Sequence, residues 1–592
     1  MSERGGEASD SFAPEADTQR AMLLAAIVSG VLLLVAHEAI EDKAAWFAGG
    51  LTRTLWFSLA TAPTLLALLT AQQLNGRLVA WLGGYSAVIA YLAWYAGRAI
   101  APAQVEEFPV LGPYACVLVA SGHVAAAWMS CALARTGFAY ARLFEAAWRH
   151  VSTLAQVLAY VGAFWLLLFL WAALFKALKV EFFAELFDEP RFIYPVTSLM
   201  MGFGFVIART RSSIGDAVHL RVLSLWRGLM PLAATLALAF AAALLVQGVQ
   251  PLWDTRHAAQ LLLSLIVALV VLANAYYGKG TELPPHPVVR RLAQAALLLL
   301  PLFAGLAAWA LALRWQQYGV SLDRLWAGLS VSIASLYALG YAVAALRREG
   351  PFLAGIAPVN RIGSLISASL LVLTQTGVLD FRAITAHALR DRAAMLEADD
   401  LRYLRWELGS PGVTALQAVQ QARAVSDPVS AAAIGRLLAQ ERRYSNPLED
   451  PVVTADVQFQ QPAGAVAPPA ALLTVLRGTD SREHFSDPLD TQHPPQHWLF
   501  ELELDGLPPA EWLRVVLPSQ KPQRSDAVVL EVFQRQQDEW RLVRREHQWL
   551  DDPQLAALEK SVRAGEVVAI EPLYKDVVLG GHRMRFSNDV RP

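Results

Sequence analysis

The residues that could do chemistry are the imidazoles and carboxylates standing beside long apolar runs. His37-Glu38-Ala-Ile-Glu41-Asp42 closes the first such run. His37 and Glu41 are four apart and share a helix face, a spacing at which zinc ligands are often presented. A zincin motif needs a second histidine where Glu41 stands, so the plainer expectation is polar residues ending a span at an interface. Glu38, Glu41 and Asp42 could also act as a general base or hold a divalent cation for a transfer reaction. His123 stands near the middle of another run, beside Ser121 and Gly122. An ionisable group there is a functional candidate, and a neutral histidine bonded across a small-residue helix contact is the competing reading. Asn274, Gln156 and Gln375 invite the same reading as interhelical glue. Glu181, Glu185, Asp188 and Glu189 form one face of a short connector, with Phe182, Phe183, Leu186 and Phe187 on the other. Such a segment is expected to lie on a membrane surface, or to form a lid or docking site over a cavity between spans.

These residues depend on elements that the composition already constrains. The chain has 592 residues, 55% hydrophobic and 17% charged, with mean hydropathy +0.37. Soluble domains carry nearer a quarter charged residues, so much of this chain avoids water. Up to Gln375 there are 25 Lys+Arg against 20 Asp+Glu, and after it 24 against 31. An apolar, slightly basic membrane portion is therefore followed by a charged, acidic soluble one, and neither has the basic excess of a nucleic-acid binder. The acidic residues of the first portion sit in loops or at span ends, which lowers the expectation of a cation-coupled pump.

About eleven runs approach the length needed to cross about 30 Å of hydrocarbon. They are 21–40, 54–71, 78–97, 111–133, 151–175, 192–208, 226–246, 258–277, 292–313, 325–346 and 355–375. Trp and Tyr cluster at several of their ends, as an interfacial belt requires. The first run has an acidic tail and no convincing small-residue cleavage site, and reads as a retained anchor. Lys and Arg in short loops favour a cytoplasmic N-terminus, and an odd number of spans then puts the C-terminal portion in the periplasm of a bacterial inner membrane. Cys116 and Cys131 fall in one run, about 22 Å apart along a helix, so they cannot bridge each other.

The expected organisation is a disordered polar tail (1–20), a transmembrane bundle (21–376), a helical juxtamembrane region (377–445), a Pro/Ala-rich linker (446–470) and a small α+β domain (471–592). Ser410-Pro411 and Asp427-Pro428 each have the N-cap and N1 pattern that opens a helix. Strands are expected at 452–458, 498–504, 528–535, 539–545, 567–573 and 583–586, with a helix at 553–563. The fold class is thus an all-α polytopic bundle followed by helices and a small α+β module.

Phe182-Phe-Ala-Glu-Leu-Phe187 with Phe192-Ile-Tyr-Pro195, Leu336-Tyr-Ala-Leu-Gly-Tyr341, and Asp400-Leu-Arg-Tyr-Leu-Arg-Trp-Glu-Leu-Gly409 resemble segments of a bacterial integral-membrane family known as domain of unknown function 4153. The likeness runs from Val151 to about Val419. It implies a multi-pass bacterial membrane protein and carries no catalytic residues. The sequence has no Walker A loop, dinucleotide fingerprint, nucleophile elbow or kinase set, and no cofactor is expected. It favours a non-enzymatic envelope protein over an enzyme: a carrier or sensor of a small or lipidic molecule, partnered by the lipid bilayer, a lipidic ligand or another envelope protein. The alternative is a polytopic glycosyltransferase-like enzyme using a lipid-linked donor at Glu38, Glu41 and Asp42.

Overall fold

Each of the eleven apolar runs coincides with a helix, two of them overrunning its ends by one or two residues, and a helix is the form in which a segment satisfies its own backbone N–H and C=O groups without water. The computed structural model describes residues 14–100, 106–210, 212–278, 286–347, 353–440, 458–462, 464–483, 496–504, 509–517, 528–536, 539–548, 550, 552–568, 577–579 and 582–584. The chain forms two units, one of residues 1–396 with 402–416 and one of 397–401 with 417–592.

The first unit contains α1 (Ala16–Glu41), α2 (Gly50–Thr70), α3 (Gly76–Ile100), α4 (Phe108–Leu133), α5 (Tyr140–Ala177), α6 (Phe182–Asp188), α7 (Pro190–Thr210), α8 (Ser212–Gln247), α9 (Gln250–Asp254), α10 (Ala258–Tyr277), α11 (Pro287–Tyr318), α12 (Leu322–Leu346), α13 (Ile356–Leu373) and α14 (Phe381–Arg390). Among the described residues, ten of these helices are long and apolar enough to cross a membrane. The eleventh expected span is α2, with 21 residues. Arg53 and several threonines dilute its apolarity. Thr54, Thr61 and Thr70 return their hydroxyls to the carbonyls of Gly50, Phe57 and Leu66 at 2.8, 2.7 and 2.7 Å, so those polar groups are met inside the helix.

The long helices also turn large apolar side chains outward. Leu158, Leu166 and Leu167 on α5 and Leu245 and Val246 on α8 are largely exposed, where a water-soluble bundle would hide such a surface. The protein is a multi-pass membrane protein. Its α8, α10, α11 and α12 share one core, including Leu262, Ile266, Leu297, Leu300 and Phe303. Helices α1, α2, α5 and α7 meet around Met22, Leu68, Val157 and Phe205. Helix α1 lies hard against α7: a Cβ on Gly202 would stand 2.9 Å from the Cβ of Ala26, and one on Gly30 2.7 Å from that of Ser198. Small residues permit that approach.

The juxtamembrane helices occur as expected: α14, then α15 (Ala398–Trp406), α16 (Gly409–Ser426) and α17 (Pro428–Ala439). Asp427 caps α17, its carboxylate accepting from the Ser430 N–H at 3.1 Å. Helix α16 starts one residue before the expected Ser410 cap. Gly409 turns the chain with φ +63, and a Cβ there would stand 3.0 Å from the Ala99 carbonyl.

The second unit includes β1 (Phe459–Gln460), α18 (Ala470–Glu483), β2 (Gln496–Leu502), β3 (Glu511–Leu517), β4 (Val528–Gln536), β5 (Glu539–Gln548), α19 (Asp552–Ala564), β6 (Val577–Leu579) and β7 (His582–Met584). Strands β1 to β5 form one sheet in chain order; β1 runs parallel to β2 and every other pair is antiparallel. Strands β6 and β7 form a separate antiparallel ribbon. One sheet face packs Leu499, Trp512 and Phe533 with Leu472 and Leu476 of α18. The other packs Trp498, Phe500, Val515 and Leu517 with Val562 of α19.

Four expectations are corrected. The polar tail ends earlier, because Ala16 already opens α1. The linker at 446–470 contains β1 and the first residue of α18. Residues 567–568 are not in a strand, and the rest of the strand expected at 567–573 lies outside the described residues. Strand β3 and helix α18 were not anticipated at all. The expected strand at 452–458 lies outside the described residues except for Gln458, and so does the turn at 537–538 of the β4–β5 hairpin.

Candidate functional site

Helix α13 ends at Leu373, and the next residues hold an unusual density of buried polarity. Thr374, Gln375, Thr376, Asp380, Arg382 and Thr385 are all buried. Asp380 is the N-cap of α14, its Oδ1 accepting from the backbone N–H groups of Arg382 at 2.9 Å and Ala383 at 3.4 Å, as a capping carboxylate does. The same oxygen accepts from Nε of Arg382 at 3.1 Å. Its other oxygen accepts from the Tyr95 hydroxyl at 2.9 Å. The carboxylate is thereby used on both oxygens, and it grips the arginine by Nε alone.

The two terminal nitrogens of that guanidinium are left over. Nη1 and Nη2 of Arg382 are buried and have no acceptor among the described residues, although the side chain is only 7% exposed. Arg382 lines a pocket with Asp380, Phe381, Thr374, Gln375, Leu322, Trp326, Pro109, Val110 and Pro113. Trp326 meets Phe381 edge-on at 5.3 Å. Pro113 lies inside α4; it has no N–H, so the Pro109 carbonyl one turn earlier loses its helical donor. The Thr385 hydroxyl is also buried without a partner among the described residues. An aromatic and proline wall with a planar fork of donors suits an amphiphile with an anionic group, and the open carbonyl is left to accept from a hydroxyl of such a molecule.

Elements around the pocket are fixed by further polar contacts. The Tyr403 hydroxyl accepts from the Leu322 N–H at 3.0 Å, at the start of α12; burial is the main cause pushing its pKa up to about 12. Arg405 is buried and stacks 4.2 Å from the Trp406 ring centre. Burial lowers its pKa, and the charge of Glu106 partly opposes that.

The candidates read from sequence lie elsewhere. His37 Nε2 is 3.4 Å from Glu41 Oε1, and its ring is 5.3 Å from that of Tyr194. Glu38 accepts from Arg191 Nε at 2.9 Å, so one ion pair joins α1 to α7 beside the His37–Glu41 contact within α1. Asp42 is exposed and ends α1. Among the described residues no group of three or more His, Cys, Asp and Glu is placed to hold a metal ion. Glu181 and Glu185 are exposed beside and on α6, and Phe183 and Phe187 turn into a stack with Trp171, Phe175 and Phe192, an amphipathic elbow.

Asn274 belongs to a closed ring. Its Nδ2 donates to the Tyr341 hydroxyl at 2.6 Å. Tyr341 donates to Asn360 Oδ1 at 2.7 Å, and Asn360 donates back to Asn274 Oδ1. Tyr140 adds a bond to that oxygen at 3.1 Å. Four helices are tied together, in the glue role expected of Asn274. His123 meets a histidine the sequence reading passed over: the His150 ring is 6.5 Å away, edge-on. Arg382 was also passed over. The available signal was an Asp-x-Arg at the end of the final apolar run, which reads as ordinary surface charge until the fold buries it.

No protein-family model matches this chain, and no curated protein or solved structure is similar to it.

Proposed function

We propose that this protein is a non-enzymatic, multi-pass receptor or carrier that binds an anionic amphiphile in the pocket at Arg382. One observation supports this most directly: a buried guanidinium held by Asp380 through Nε presents two terminal nitrogens with no acceptor among the described residues. A buried cationic fork left without acceptors is costly, and a carboxylate or phosphate supplies the matching oxygens. The apolar and aromatic wall suits the rest of a lipid-like molecule. The basic loop asymmetry and the resemblance to domain of unknown function 4153 support placement in a bacterial inner membrane, with the N-terminus cytoplasmic and the C-terminal unit periplasmic. The Arg382 pocket then opens toward the outer leaflet.

The test is native mass spectrometry of the purified full chain with phosphatidylglycerol and, separately, phosphatidylcholine. The wild type retains the anionic lipid preferentially. Arg382→Gln loses about tenfold or more in that preference, the scale of a hydrogen bond to a charged group. Equal retention of both lipids by the wild type, or an unaltered preference in the variant, rejects the reading.

A further inference from the structure

Helix α4 meets a second polar pocket at its other end. Pro113 and Ser130 are separated by about 25 Å along the helix at about 1.5 Å per residue, so the two pockets cannot share a ligand group. The second is lined by Leu69, Ser130, Ala146, Arg149, His150, Thr153 and Arg209. Four helices converge there: the ends of α2, α4 and α7, and the first third of α5.

Its centre is His150, only 4% exposed. Nε2 lies 3.1 Å from the Ser130 hydroxyl. Nδ1 is buried with no partner among the described residues. Ser130 is buried as well, and its hydroxyl has a proton to donate. Donation to Nε2 satisfies both groups and leaves the imidazole hydrogen on Nδ1, facing no acceptor. Arg209 is buried, with Nη1 donating to the Leu68 carbonyl at 2.9 Å and 3.8 Å from the sulfur of Met22. Arg149 contacts Glu145 at 3.1 Å. The pocket lining contains two guanidinium groups, one imidazole, two hydroxyls and no carboxylate.

We infer that this pocket is a second anion site, taking a phosphate-type oxyanion whose oxygen accepts from Nδ1 of His150 between Arg149 and Arg209. The buried imidazole N–H and a lining with two guanidinium groups and no carboxylate favour an anion over a cation. The oxyanion is either free phosphate or a lipid phosphate headgroup, and the Arg382 pocket plays no part in binding it.

Two side chains separate the functions of the two imidazole nitrogens. Glutamine at position 150 reaches roughly where Nε2 lies and keeps a partner for Ser130; asparagine reaches roughly where Nδ1 lies. Thermal stability of the full chain in a phosphate-free detergent is measured against inorganic phosphate at constant ionic strength, and in a separate arm against lysophosphatidic acid. Wild type and Arg382→Gln are both stabilised, by inorganic phosphate if the source is free anion and by lysophosphatidic acid alone if it is a headgroup. In His150→Gln the half-saturating concentration rises about tenfold or more while the ligand-free melting temperature stays near wild type. His150→Asn retains more of the response than His150→Gln. Stabilisation of wild type by neither ligand overturns the proposal. So does an unaltered response in a folded His150→Gln, or a response lost in Arg382→Gln and kept in His150→Gln.

Discussion

Asp380 carries several tasks on one carboxylate: it caps α14, aligns Arg382 and receives the Tyr95 hydroxyl. Asp380→Asn keeps much of the cap but removes the charge that faces the buried guanidinium. Breaking a buried pair from one side costs about 3–5 kcal/mol, so this variant should melt well below wild type and lose anionic lipid as Arg382→Gln does. Tyr95→Phe removes only one bond and should cost about 1 kcal/mol. Both follow from melting curves of the full chain, and equal losses in the two variants would contradict the division of tasks. Tyr403 adds a pH effect. Its folded pKa, near 12, lies above the ordinary tyrosine value of about 10. The unfolded state therefore releases its proton first. That contribution is constant below about pH 10 and is lost as pH rises toward 12; Tyr403→Phe should flatten the alkaline fall in stability over that window. None of this was legible from residue types alone. Asp380 and Arg382 fall just past the last apolar run and read as ordinary surface charge, because burial of a single arginine is a property of tertiary packing.

Elements were far more legible where their patterning was long. Each apolar run became a helix, and β4 and β5 lie where strands are expected at 528–535 and 539–545. Strand β3 escaped because Trp512, Val515, Val516 and Leu517 are buried along with Glu511 and Arg514. A central strand covered on both faces shows no alternation to read. Helix α18 escaped behind Pro468-Pro469, with Gly478 inside it and a polar end. The same double coverage makes the sheet sensitive. Glu531 is fully buried and pairs with Arg514 at 2.6 Å and with Arg545. Glu531→Leu leaves two cations facing an apolar side chain and should cost about 3–5 kcal/mol, read as faster hydrogen exchange in β3, β4 and β5. In the helical unit the close approach of α1 to α7 makes a parallel case. Gly202→Leu has no room beside Ala26 and Leu23 and should lower the melting temperature by several degrees, the effect of about 1–3 kcal/mol of overpacking. Gly228→Ala, with nothing within 4 Å, should lower it by none. Comparable losses in the two would show that the α1–α7 contact has room for a side chain at position 202.

At the scale of the molecule, the membrane unit has a polar site at each end of α4 and a sealed polar ring between α5, α10, α12 and α13. The ring differs from both pockets in being satisfied, so its cost falls on whatever breaks it. Asn360→Leu takes the acceptor from the Tyr341 hydroxyl proton and one of two donors from Asn274 Oδ1 and should cost about 1–3 kcal/mol, while anionic lipid binding at Arg382 is retained in the folded fraction. A melting temperature unchanged from wild type would show that the ring holds nothing together. The ring also sets an order of events during synthesis. Asn274 finds Tyr341 67 residues further along the chain and Asn360 86 residues further. Helix α10 must therefore leave the insertion machinery with its amide met only by Tyr140 of α5 and by its own Val270 carbonyl, and it stays incompletely settled until α12 and then α13 arrive. A ribosome stalled between α11 and α12 would hold a helix that is inserted but not yet anchored. A slow stretch of translation at that point would favour quality-control proteases over assembly.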